Sequence, residues 1–435
     1  MNHFASERTA ARSSRAKEVE MKLPRKWIAA GLLLTASGVQ AQLLPSAGER
    51  LGQVGGEVGR VLPGLLDGVQ GALDRSPLER LSPSRLIAAR SARISDLLRR
   101  HGDIIELDDR REPARRGLIL LIGAKAQSIE ALRSAGYGVE NTNIEGLDLP
   151  VTRLAVPKDR SLAKALRHVR SVAPEAKASA DNLYFPSGHA VSLAASALAG
   201  SSRVNSRSAG LIDGGVARHP ALNGPLEQQG FAKGAPRASA HGTAVASLIA
   251  GSGTIRGAAP GAPLLVADVY GDDPAGGSAF AIARALGWLA ARGSSVVTIS
   301  LVGPDNPLLA GAIRLAREKG VTVVAAVGND GPAAPPAYPA SYPEVIAVTG
   351  VDARGRPLPE AGRARHVDFA APGADMNAAR MDGGKGPVRG TSFAAPLVAG
   401  RLFEAGSLST LRAEAKAAGR AAGNGIICGS CRNIG

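Results

Sequence analysis

The sequence predicts an α/β protein, a parallel β-sheet covered on both faces by helices and preceded by a smaller module of the same alternating kind. Three observations carry that prediction. From Gly210 onward, short apolar runs alternate with helical patterns of ten or more residues, the order that builds parallel crossovers. Between Gly117 and Val172 a shorter β-α-β-α order suits a small sheet with helices on one face. Asp213, Leu301 and Asn329 fall at or just beyond the carboxyl ends of predicted strands, where open parallel sheets gather their sites.

Composition bounds the rest. The 435 residues suffice for two or three compact units; 45% are hydrophobic, 54 are glycine and only 3% are aromatic. The net charge of +15 is spread over both halves of the chain. A dispersed basic surface with few rings to stack bases argues against nucleic acid as a partner. The two cysteines, Cys428 and Cys431, supply half of a zinc site and have no second pair, so no metal and no cofactor are expected. In an exported chain they predict a small disulfide in the C-terminal tail.

Export is expected from residues 1–41. Within them Met21 to Lys26 is a basic start, Trp27 to Val39 an apolar run, and Val39-Gln40-Ala41 a small-residue cleavage signal before Gln42. The apolar run is about half the roughly 20 residues of a membrane helix. No stable membrane insertion is therefore expected once the signal (core 21–41) is removed, and the location is extracellular or periplasmic. Residues 42–115 read as a basic, partly helical pro-region, with helical spacing in Leu86-Ile87, Ile94 and Leu97-Leu98, and carry no assigned chemistry.

The module that follows has strands at Leu118 to Ile122 and Thr152 to Val156 and helices at Ser128 to Ala135 and Leu162 to Val172. After Leu183-Tyr184-Phe185-Pro186 comes a small-residue linker to Arg207, expected to be open to cleavage. The larger sheet is assigned strands at Gly210 to Asp213, Leu264 to Tyr270, Val296 to Leu301, Val321 to Val327 and Val345 to Val351, with helices at Ala279 to Ala291 and Leu308 to Lys319 between them.

Four residues carry candidate chemistry. Asp213 ends a strand and is followed by two glycines that let the backbone turn beside a carboxylate. His241 opens a small-residue helix as His-Gly-Thr. Ser392 lies in Gly-Thr-Ser-Phe-Ala-Ala-Pro, a loop entering a buried helix whose first-turn amides lack intrahelical partners and face developing negative charge. Pro396 has no N–H, so the Ser392 carbonyl receives no helical bond from it. A serine hydroxyl is a poor nucleophile near neutral pH, so an imidazole must take its proton, and a carboxylate must fix the tautomer of that imidazole. Asn329, in a Gly-flanked loop after a strand, can offer its amide to a tetrahedral oxyanion beside the Ser392 N–H.

Together these stretches resemble the subtilisin-like (subtilase) serine proteases. The resemblance rests on Ile212-Asp213, His241-Gly242-Thr243 and Gly390 to Pro396. Further matches are Gly257 to Ala262, Ser300-Leu301-Val302-Gly303, Tyr338-Pro339-Ala340 and Ala371-Pro372-Gly373, and the whole spans about 205–403. It implies a three-layer α/β/α domain at 191–435 and a secreted serine endopeptidase acting on protein or peptide substrates. It also implies a prosegment, here 116–190, that acts as an intramolecular inhibitor before 42–186 are removed. By the same resemblance Asp213, His241, Ser392 and Asn329 are catalytic, and Ser300, Leu301, Val302 and Gly303 bind substrate. Structural calcium is a family possibility that this sequence does not locate, and a monomer is expected. The chain departs from the family at Val302, where a second glycine is usual. If that valine points into the pocket, large side chains are excluded; if it faces the core, the pocket is ordinary. An α/β-hydrolase would require G-x-S-x-G and the order Ser, Asp, His, which is not found here. The remaining alternative is a non-catalytic exported binding protein on the same fold.

Overall fold

The computed structural model describes residues 82–187, 189–190 and 197–433. All belong to one of the two units into which the chain divides, Leu62–Gly435. The signal at 21–41 and the first part of the pro-region lie outside the described residues.

The described chain begins with helix α1 (Pro83–His101), which has Pro at its start and Arg99, Arg100 and His101 in its last turn, where cations complement the helix dipole. An antiparallel sheet follows, made of β1 (Ile105–Leu107), β2 (Pro113–Ile122), β3 (Gly138–Ile144), β4 (Leu149–Ala155) and β5 (Lys177–Asn182). Helices α2 (Ala126–Ser134) and α3 (Leu162–Val172) cover one face, closing a core of Ile119, Leu121, Leu132, Leu154, Leu162, Leu166 and Val169. The sheet begins ahead of the composition break at Gly117 and contains three strands that the sequence patterns missed, β1, β3 and β5. Strand β3, Gly-Val-Glu-Asn-Thr-Asn-Ile, shows why. It is largely exposed and has no apolar run, and it is held by a full antiparallel register with β4.

The larger sheet has seven strands, all parallel, in the order β15-β14-β13-β11-β8-β10-β9. They are β8 (Ser208–Asp213), β9 (Leu226–Gly230), β10 (Leu264–Asp268), β11 (Ser294–Ile299), β13 (Thr322–Ala326), β14 (Val345–Val351) and β15 (Phe369–Pro372). Alternate side chains face opposite layers. Leu211, Val266, Val324 and Val348 pack with Val245 and Leu248 of α4 (Ala240–Ala250) and with Phe393, Leu397 and Val398 of α7 (Thr391–Ala405). Ile212, Leu265, Val323 and Ala347 pack with Ile282 and Leu286 of α5 (Ala279–Ala291) and with Leu308 and Ile313 of α6 (Pro307–Glu318). The result is the three-layer α/β/α arrangement. The edge strand β9, Leu-Glu-Gln-Gln-Gly, escapes sequence reading because it is polar.

The free face of the smaller sheet completes the second layer, with Leu120, Ile144, Leu149 and Val151 joining the α5/α6 core. The approach is close enough to exclude side chains. A Cβ on Gly146 would lie 2.1 Å from the Gly287 carbonyl oxygen, and one on Gly287 would lie 2.1 Å from that of Glu145. Polar groups are matched at the same seam. Asp181 accepts from Phe280 N–H at the start of α5 (2.9 Å), and Asn306 donates to the Ala180 carbonyl (2.9 Å) and to Asn182 (3.0 Å). The expected tail disulfide joins Cys428 and Cys431. The linker is less open than its composition suggested, since Ala199 and Val204 are buried and Ala199 N–H donates to Val216 (2.9 Å).

Candidate active site

Asp213 ends β8 and is buried at 1% exposure. Its carboxylate accepts from Gly214 N–H at 2.8 Å and faces His241 Nδ1 with both oxygens at 2.9 Å. Those contacts place the proton on Nδ1 and leave Nε2 as the basic nitrogen. The His-Gly-Thr signature has a geometric cause. His241 lies in the first turn of α4, capped by Ser239, whose hydroxyl accepts from Gly242 N–H at 2.9 Å. Gly242 has no room for a side chain, because a Cβ would stand 2.3 Å from the Gly214 carbonyl oxygen. Thr243 then ties the loop after Asp213 to the helix, accepting from Ala217 N–H (2.9 Å) and donating to the Ser239 carbonyl (2.6 Å).

Ser392 stands in the first turn of α7, after Gly390, whose φ of 135° suits only glycine. The Phe393 ring lies 5.4 Å from the His241 imidazole, which brings the starts of α4 and α7 side by side. His241 Nε2 and Ser392 Oγ are both buried and have no hydrogen-bond partner among the described residues. The Ser392 carbonyl, denied a helical donor by Pro396, receives the Ser300 hydroxyl at 2.9 Å instead. Sequence reading assigned Ser300 to substrate binding only; the missing N–H at position 396 was the signal that a further donor was needed.

Asn329 follows β13 and is locked by its neighbour across the site. Its side-chain oxygen accepts from Thr391 N–H (3.0 Å), while the Thr391 hydroxyl bonds both the N–H (3.0 Å) and the carbonyl (3.1 Å) of Gly328. That arrangement aims the Asn329 amide nitrogen at the carbonyl oxygen of Ser187, which also accepts from Ser392 N–H at 3.3 Å.

Ser187 arrives there on a strand. Residues β6 (Phe185–Pro186) pair antiparallel with β12 (Leu301–Val302), in the register Leu301 opposite Pro186 and Val302 opposite Phe185. Ser187 N–H donates to the Ser300 carbonyl (3.1 Å) and Tyr184 N–H to that of Gly277 (2.8 Å). Beyond the site, β7 (His189–Ala190) pairs antiparallel with β17 (Lys385–Arg389). Ser392, Asn329 and the 300–303 stretch therefore meet one line of backbone that belongs to the chain itself, while Asp213 and His241 pair beside Phe393, the residue after Ser392. The residue that sequence reading did not single out is Ser187. Among the described residues no group of three or more His, Cys, Asp or Glu side chains could hold a metal ion.

Asp268 lies beside Asp213 in the sheet register. It accepts three backbone amides, from Arg237 (2.7 Å), Tyr270 (2.8 Å) and Gly271 (3.0 Å). Burial raises its pKa, against the pull of those bonds. Tyr270, so placed, donates its hydroxyl to the Tyr184 carbonyl at 2.7 Å.

Comparison with known proteins gives the family and the fold. The Subtilase family pattern matches residues 207–405. Subtilisin BL of Lederbergia lenta is 34% identical over 197 residues, which cover 44% of this chain and 72% of that protein. The major intracellular serine protease of Bacillus subtilis is 37% identical over 171 residues, covering 37% of this chain and 53% of that protein, so the chain spans about half the length of that relative. Among solved structures, fervidolysin from Fervidobacterium pennivorans superposes with a TM-score of 0.58 at 18% identity, covering 74% of this chain and 61% of that one, a likeness of fold. By sequence and by fold, the chain belongs to the subtilase family of serine proteases.

Proposed function

We propose that the chain is an exported serine endopeptidase made as a proenzyme, with Asp213, His241, Ser392 and Asn329 as its catalytic residues. One observation carries the reading: the Ser187 carbonyl oxygen lies between the Ser392 N–H and the Asn329 amide. Those two donors meet a peptide carbonyl where charge would develop on its oxygen. His241 Nε2 takes the Ser392 proton during attack and returns it to the leaving nitrogen; Asp213, bonded to Nδ1, holds the tautomer and stabilises the imidazolium. Residues 300–303 bind the substrate backbone by strand addition, a mode tolerant of side-chain identity, which suits protein or peptide substrates. The module preceding the active domain occupies the substrate groove and so acts as the enzyme's own inhibitor.

The test is labelling by a fluorophosphonate probe of the processed enzyme and of a Ser392→Ala variant. Labelling of the wild type alone is expected. Equal labelling of both, or of neither, would favour a non-catalytic binding protein on this fold. Secretion is tested separately, by locating the protein with and without residues 21–41.

A further inference from the structure

The register of the chain's own strand in the groove carries more than occupancy. Ser187 is the residue whose carbonyl meets both oxyanion donors, so the bond at risk is the one that follows it. We infer that the enzyme cuts its own chain after Ser187, and that the pockets used there make it a protease of extended peptides with a small residue before the cut and a tyrosine three residues further upstream. This rests on the endopeptidase reading above and adds the processing site and the substrate class.

The small-residue requirement comes from Val302. Ser187 sits between two walls, with its N–H on Ser300 and its carbonyl facing Asn329. Val302 bridges those walls, since a Cβ on Gly328 would be 3.3 Å and 3.6 Å from its two methyl carbons. The slot is filled by a β-branched side chain with restricted χ1. The Ser187 side chain folds back instead, donating its hydroxyl to the Ser300 carbonyl at 3.1 Å.

The tyrosine requirement comes from a closed pocket around Tyr184, which is 0% exposed. Its ring stands where a side chain at position 303 would be, 2.6 Å from a Cβ placed on Gly303, and its hydroxyl donates to the Pro304 carbonyl at 2.7 Å. Its N–H and carbonyl are both bonded, to Gly277 and Tyr270. Phenylalanine there would fill the space and leave the Pro304 carbonyl without its donor.

The step balances within the site. Ser392 Oγ bonds to the Ser187 carbonyl carbon while its proton passes to His241 Nε2. The carbon–nitrogen bond to Gly188 breaks as that proton moves to the departing nitrogen. Water then adds to the ester with His241 again carrying the proton, and the Oγ–carbon bond breaks to give free Ser392 and a Ser187 carboxylate.

The experiment begins with mass spectrometry of the full chain after folding. The wild type should yield a fragment beginning at Gly188, and Ser392→Ala should remain joined there. Ser187→Phe should slow that cut by about 10–200-fold, and adding Val302→Gly should restore it, a rescue that a folding defect would not give. The processed enzyme is then given Tyr-Phe-Pro-Ser-aminocoumarin and two variants of it. Phe in place of Ser should lower kcat/KM by about 10–200-fold, and Phe in place of Tyr by about tenfold. A Ser392-dependent cut at another bond, or equal turnover of the Ser and Phe peptides, overturns the inference while leaving the endopeptidase reading intact. An enzyme that cuts nothing and takes no fluorophosphonate sinks that reading and the inference with it.

Discussion

Two neighbours in the chain, Asn329 and Asp330, receive two different parts of the N-terminal region. Asn329 meets the strand 184–187, and Asp330 meets helix α1. The strand is held by backbone bonds on both sides and by the fully buried Tyr184. The helix meets Asp330 through charge, while Leu97 and Leu98 farther along it pack on a cluster with Leu183 and Ala275. Arg93 pairs with Asp330, and Arg90 lies 3.4 Å from Asp330 and 2.6 Å from Glu112. These side chains stay partly in water, Arg93 at 56% and Asp330 at 25% exposure. Leu86 adds one apolar contact, occupying the space beside Gly331. Burial pushes the Glu112 carboxyl up, against the pull of Arg90. The contrast separates recognition from tethering. A strand bonded through its backbone on both sides fixes which carbonyl meets the Ser392 N–H and the Asn329 amide. A solvent-facing ion pair next door contributes little energy and is screened by salt.

The largest effect that would break this comparison is at Asn329. Its bond to a peptide carbonyl strengthens as charge develops on that oxygen, so Asn329→Ala should lower kcat by about 10²–10³-fold with KM changed far less. Steady-state kinetics on a peptide substrate check it; a variant with full kcat would reduce Asn329 to a loop residue like its neighbour.

A smaller effect is expected from Asp181 at the seam between the two sheets. Burial raises its pKa to about 6, opposed by the bonds from Phe280 N–H and the Ser278 hydroxyl and by the charges of Arg115 and Arg153. A carboxyl with a raised pKa in the docked state favours docking when protonated. That contribution is whole below about pH 4, the ordinary aspartate value, and fades as pH rises through about 6. The cut N-terminal module should therefore bind the active domain more tightly at pH 4 than at pH 7, by up to about 10²-fold. Asp181→Asn should flatten the profile. Binding of the separated fragment, measured by inhibition across that range, would show a pH-independent affinity if the idea is wrong.

The smallest effect is at Asp330. Asp330→Asn should weaken inhibition by the N-terminal region only about 2–5-fold at low ionic strength, and not at all in 1 M salt. A loss as large as that for a Gly303→Val variant, whose added Cβ would meet the Tyr184 ring at 2.6 Å, would mean that the helix recognises rather than tethers.

Much of the site was legible in the sequence because local rules enforce it. Gly242 is glycine because the Gly214 carbonyl leaves no space for a side chain, Gly390 because its φ is positive, and Pro396 because the carbonyl of Ser392 is bonded elsewhere. Each constraint falls on a single residue, even where its partner is distant in the chain, and so leaves short motifs around Asp213, His241, Asn329 and Ser392. The alternating strands and helices of the larger sheet were legible for the same reason, since each apolar run must bury itself. What went unread was the polar strands β3 and β9, β5, the four-residue apolar edge strand β15, the early start of the smaller sheet at Ile105, and the packed part of the linker.

The sequence alone therefore determined the fold class and the family, and it singled out Asp213, His241, Asn329, Ser392 and the stretch 300–303 as candidates. Only the tertiary structure decided which residue of the chain's own strand lies against the oxyanion donors and which way Val302 faces. It also decided that the Ser300 hydroxyl takes over the carbonyl that Pro396 leaves unbonded. All three depend on register between segments more than a hundred residues apart, as between Phe185 and Val302, or close to that, as between Ser300 and Ser392. A strand shifted by one residue presents its other face, and nothing in the local sequence of either partner fixes that choice.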